Sequence, residues 1–156
     1  MLQGEADATW VFMGWEGKIA EQKGIKLRPW FLKDYQIPYG YSPCLLAHPD
    51  LLINDQKAMY LKKFLDATER GYQYATKHPE ESIEHLLEVL NHQHNQSHEM
   101  LLASQRFLST SNCYLNSTGK WGVMDNSRWS LFIDWLCDNQ LLRYRDGQIV
   151  PRSVVM

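Results

Sequence analysis

Residues Ile25–Ile53 read "IKLRPWFLKDYQIPYGYSPCLLAHPDLLI", and how this run folds decides the fold class. Its first part, "IKLRPWFL", is strand-like, and Pro29 suits an edge position or an irregularity. Its last part, "PCLLAHPDLLI", reads as a further strand ending near His48 and Pro49. Between them "DYQIPYGYSP", Asp34–Pro43, holds three tyrosines, two prolines and a glycine. Upstream, "DATWVF" reads as a short strand. "GWEGKIAEQKG" reads as a short helix that Gly24 closes.

From Asn54 the period changes. Leu61, Phe64, Leu65, Thr68, Tyr72 and Ala75 fall three or four apart and mark one face of a long helix. Pro79 suits the first turn of the next helix, with Ile83, Leu86, Leu87 and Leu90 as its stripe. Leu101, Leu102, Phe107 and Leu108 suggest a third. Asp125 or Asn126 can cap a last one bearing Trp129, Phe132, Ile133 and Leu136. The tail "RDGQIVPRSVV" reads as a weak strand or as disordered. Three strands followed by helices imply an α/β fold, and three strands alone would leave much apolar surface uncovered. The chain thus reads like the later part of an α/β protein without its earlier strands, with a small α+β domain as the alternative.

The totals exclude several classes. With 156 residues the chain suits one ordinary domain. A net charge of −2 offers no basic field for nucleic acid or an acidic membrane. No run has the roughly 20 apolar residues of a membrane span, and no signal peptide is visible. Cys44, Cys113 and Cys137 are scattered and odd in number, which favours free thiols over a disulfide framework.

Four groups could carry chemistry. In "FMGWEGKIA" Gly14 permits a sharp turn that sets Trp15 and Glu16 at a helix start. A carboxylate there can accept hydrogen bonds from a ring amino group while an indole stacks on the ring. The plainer alternative makes Trp15 core and Glu16 a helix-start charge. Tyr39 and Tyr41 flank Gly40, so extended alternation puts both rings on one side. They form either a binding wall or a hinge that packs on itself. In "HQHNQSHE", His94 and His98 have the helical spacing of metal ligands, with His92 and Glu99 close by, but a solvated connector is the better reading, and no metal is expected. The aromatic group around Trp121, Trp129 and Trp135 reads as core, with Trp135 beside the stripe of Trp129, Phe132, Ile133 and Leu136 and able to cover its edge. No nucleophile elbow, phosphate loop or Cys/His set stands out, so no catalytic residue and no cofactor are expected.

In order, "GEADATWVFMGWEG", "LKDYQIPYGYSPCLLAHPDLL", "LKKFLDATERGYQYATKHPEESIEHLL" and "WGVMDNSRWSLFIDWLCDNQLL" resemble the second half of the thiamine-pyrimidine-precursor binding proteins. That ABC-transporter substrate-binding group also includes alkanesulfonate binders and eukaryotic hydroxymethylpyrimidine phosphate synthases. The resemblance implies part of a two-lobe, periplasmic-binding-protein-like (type II) fold whose first-lobe strands are missing. Residues 1–43 would belong to the second lobe and end at a hinge loop. Residues 44–145 would cross back and supply helices to the first lobe, with 146–156 as a tail.

It also implies binding of a thiamine-related aminopyrimidine in an interlobe cleft. Glu16 would meet the amino group, Trp15 would form a wall, Tyr39 and Tyr41 would stack or hydrogen-bond, and Trp10 would contribute from the preceding strand. The implied partners are the small-molecule ligand, an ABC permease if the protein is exported, and a second copy covering the missing lobe; nucleic acid is not among them. The implied location is periplasmic or membrane-associated, or cytoplasmic if the chain is a complete product without a signal. The alternatives are a synthase-like enzyme and a truncated, non-binding remnant. Against the synthase, the cysteine-rich segment of those enzymes is absent, and Cys44 stands alone beyond "YGYSP".

Overall fold

Asn54 starts the longest helix. Its backbone is extended and its side-chain oxygen accepts the Lys57 N–H at 3.0 Å, the arrangement that satisfies an otherwise orphaned helix donor. The computed structural model describes residues 6–41, 43–90 and 97–155. Among these, α1 is Glu16–Gln22, α2 Asp50–Ile53, α3 Asp55–Lys77 and α4 Pro79–Leu90. Further along come α5 (His98–Thr110), α6 (Asn126–Asp138) and α7 (Arg152–Val155), with one 3₁₀ turn at Leu32–Tyr35. Ser97 caps α5 through the Met100 N–H, and Asp125 caps α6 through the Ser127 N–H. The change of period at Asn54, the proline start at Pro79 and the cap at Asp125 all correspond to real helix boundaries. No helix among the described residues is long and apolar enough to cross a membrane.

The α/β expectation is overturned. Among the described residues the chain is helical and holds no sheet; the only β pairing is an isolated antiparallel bridge between Arg143 and Ile149. "DATWVF" and "IKLRPWFL" form no strand and run as irregular backbone, the second ending at the 3₁₀ turn, and "PCLLAHPDLLI" ends in α2. The physical reason lies in the neighbours: a strand needs an adjacent one to bond its N–H and C=O groups and a layer to cover its apolar face. Trp10, Phe12, Trp30, Phe31, Leu45 and Leu46 instead stand exposed, Leu46 at 92%. The two-lobe sheet architecture falls with this correction.

The chain divides into two compact units, Met1–Arg28 with Pro49–Gly122, and Pro29–His48 with Val123–Met156. The core of the first forms where α1, α4 and α5 meet. Met100, Leu101 and Ile83 are buried there, with Ile19, Leu87 and Leu102 packed around them. Ile83 and Leu87 come from the stripe read in the sequence, whereas Leu86 is exposed. The start of α1 is held against α5 at Gly14, whose carbonyl accepts the Ser104 hydroxyl at 2.5 Å. A Cβ on Gly14 would lie 2.9 Å from Leu108 Cδ2 and 3.1 Å from Phe107 Cδ1, so a larger residue here would force those side chains to shift. In the second unit, α7 is tied to α6 by Arg152, which pairs with Asp134 and, at 3.7 Å, with Asp138.

Candidate functional site

The first unit carries Trp10, Trp15 and Glu16. The chain turns at Met13–Trp15, where the Trp15 N–H and the Gly17 N–H both donate to the Phe12 carbonyl, at 2.9 and 3.1 Å. Glu16 opens α1, and its Oε2 accepts the Phe12 N–H at 2.9 Å, which fixes the carboxylate against its own turn. Trp15 is 42% exposed and Trp10 58%, so neither indole is core. The Trp10 ring meets Phe12 edge-on, with centroids 6.4 Å apart. The group is thus an anchored carboxylate with two accessible indoles nearby in sequence, suited chemically to hydrogen bonding and stacking.

The second unit carries Tyr39 and Tyr41, and both rings pack on α6. Tyr39 meets Phe132 edge-on at 5.5 Å, and Tyr41 lies tilted on Trp129 at 5.4 Å. The Tyr41 oxygen accepts the Asp125 N–H at 2.7 Å. The Arg128 guanidinium sits 4.8 Å from the centre of the Tyr41 ring, within cation–π range, and its Nη2 donates to the Tyr39 carbonyl at 3.3 Å. Gly40 makes room for that guanidinium, because a Cβ would come within 2.3 Å of Arg128 Nε. Tyr41 itself has φ of 56°, in the left-handed region that costs a side-chain-bearing residue on the order of 1–2 kcal/mol. Tyr35, the third tyrosine of this stretch, is 61% exposed. The tyrosines fall in one unit and the indoles with Glu16 in the other.

The Asp125 backbone N–H meets the loop at Tyr41, while its carboxylate serves the start of α6. The Ser127 hydroxyl, then the Ser127 amide, and more weakly Arg128, hold its carboxyl below the usual carboxylate range. A folded-state value below the unfolded one means the cap contributes above the unfolded value and is lost as pH falls through the folded one. The Ser127 amide resonance is therefore expected to move on acidification with a midpoint below that of an ordinary aspartate. In Asp125→Ala that step should vanish; an unchanged step would rule out this cap.

Of the histidine group, His92 and His94 lie outside the described residues. His98 Nε2 meets Glu84 Oε1 at 2.7 Å. Trp121, read as core, stacks on Tyr72 with centroids 5.4 Å apart and planes at 21°. Tyr114 meets Tyr72 at 5.1 Å, and its hydroxyl donates to Gln105 Oε1 at 2.8 Å. Sequence reasoning missed this Tyr72–Tyr114–Trp121 cluster. Tyr72 was visible on the α3 stripe, but Tyr114 and Trp121 come from an irregular segment with no period to reveal their direction.

No curated protein matches the chain. Residues 1–82, just over half of it, match the family described as NMT1/THI5 like. Trp10, Trp15, Glu16, Tyr39 and Tyr41 all fall inside that span. Membership supports a binding or thiamine-related role. On the strength of this match the chain belongs to the NMT1/THI5-like family.

Proposed function

We propose that the protein binds a thiamine-related aminopyrimidine as a substrate-binding component of an ABC transporter. The observation that carries this reading is Glu16: an exposed carboxylate anchored by the Phe12 N–H, beside an exposed indole, within the residues that match the family. In the first unit, Glu16 accepts from the ring amino group, Trp15 stacks, and Trp10 adds apolar surface. The second unit, taken by itself, presents Tyr39 and Tyr41 as half-buried rings held by α6, a separate candidate surface for stacking. The ligand is released unchanged, so the role is recognition and delivery to a membrane permease, with the protein at the membrane or in the periplasm.

Isothermal calorimetry with hydroxymethylpyrimidine and formylaminopyrimidine tests the reading. Saturable binding, weakened by Trp15→Ala, is expected; no saturable heat with either compound would overturn it. A second copy of the chain is a further proposed partner, supported by exposed apolar side chains in each unit taken separately, Leu45 and Leu46 in the second and Leu52 and Ile53 in the first. Light scattering is expected to give twice the mass of 18.3 kDa, and a monomer at high concentration would remove that partner.

A further inference from the structure

We propose a second ligand site in the first unit, a cleft on α3 that takes a small, planar, uncharged aromatic molecule. The cleft has a volume of about 300 Å³ and is lined by Thr68, Gly71, Tyr72, Ala75 and Tyr114. Four of these stand at the spacing of one helix face, so the floor belongs to α3 alone. Its wall is built from rings: Tyr72 is stacked on Trp121 and met edge-on by Tyr114.

Gly71 is what the rest of the protein does not account for. It interrupts a 23-residue helix, where glycine is among the poorest residues, yet a Cβ there would meet nothing within 4 Å. No packing contact demands the glycine, and its effect is to leave space beside Tyr72 and Ala75. The wall is fixed rather than loose. Gln105, 8% exposed, accepts the Tyr114 hydroxyl and donates through Nε2 to the Ala75 carbonyl at 2.8 Å. Burial is the main cause that pushes the Tyr114 hydroxyl up to about 12, so it stays a neutral donor to Gln105 at physiological pH.

Three properties set the ligand class. No lining side chain is charged, which excludes an ion as the preferred occupant. The rings favour a flat π-system through offset or edge-on contact. The cleft is open to solvent, so it suits a flat molecule laid against the rings rather than one enclosed by them. Polar edges on such a ligand have two hydroxyls available. Thr68 donates to the Phe64 carbonyl and keeps its lone pairs, and among the described residues no hydrogen bond reaches the Tyr72 hydroxyl.

Indole is the probe. Titrated into the full chain and followed by amide correlation spectra, it is expected to shift the resonances of residues 68–75, Tyr114 and the Trp121 side chain in a saturable way. Cyclohexanol, apolar but not planar, should bind at least roughly tenfold more weakly. Gly71→Leu fills the cleft with a better helix former, so it should weaken indole by at least about tenfold while Tm holds or rises. If that variant melts lower than wild type, Thr68→Leu, which blocks the other end of the floor, must show the same loss. The site is overturned if indole gives no saturable shifts, if the shifts lie elsewhere, if cyclohexanol binds equally, or if the folded filling variant binds indole unchanged.

Discussion

Met100→Ala is expected to lower the free energy of unfolding by about 2–5 kcal/mol, the range for deleting a large side chain from a packed core. Met100 has no exposed surface and sits among Ile83, Leu101, Ile19, Leu87 and Leu102, where three helices of the first unit meet. Ala20, Ile83, Met100 and Leu101 are the buried hydrophobics among the described residues, so the cavity would open in a small core with little material to refill it. Against a typical total of about 5–15 kcal/mol, such a loss is large. The urea midpoint should fall while the slope with denaturant stays constant. Leu46→Ala is the contrast. Leu46 is 92% exposed, and its removal should change stability by no more than about 0.5 kcal/mol. Equal effects from the two substitutions would contradict the placement of the core.

The helical part of this fold was legible because helices announce themselves locally. Asn54, Pro79 and Asp125 mark starts through capping chemistry, and Ile83 and Leu87 recur at a helical period. Strands do not announce themselves in that way. "IKLRPWFL" and "DATWVF" have strand-like composition, but whether such a run pairs depends on a neighbour that the run itself does not encode. The Pro49–Asp50 start of α2 was a helix signal overlooked in favour of the apolar "CLLAHPDLL". Met100 was missed for a related reason: it follows a polar stretch, and only the Ser97 cap shows that a helix has begun.

The site divides along the same line. Tyr39 and Tyr41 were expected to lie on one side of their loop, and both do face α6. That Arg128 covers Tyr41 and lies close against Gly40 joins residues too far apart in sequence for any periodicity to reveal. Glu16 was visible from its place after Gly14, while its bond to the Phe12 N–H is a property of the folded turn.

Loss of the Glu16 carboxylate should have the largest effect on recognition. A hydrogen bond from a ring amino group to an ionised carboxylate contributes about 1.5–3 kcal/mol, or roughly 10- to 150-fold in Kd. Glu16→Ala also removes the acceptor for the Phe12 N–H, so part of its effect would come from the turn. Glu16→Gln separates the two, since its amide oxygen can still accept from Phe12 while the charge is gone. The glutamine variant should keep the wild-type Tm and still lose most of the affinity.

The most direct test is a cycle of four titrations: wild type and Glu16→Gln, each with hydroxymethylpyrimidine and with its analogue lacking the ring amino group. The account predicts that wild type prefers the amino compound by at least roughly tenfold and that Glu16→Gln loses this preference. Equal discrimination by the two proteins would contradict it, because the amino group would then be read by something other than Glu16.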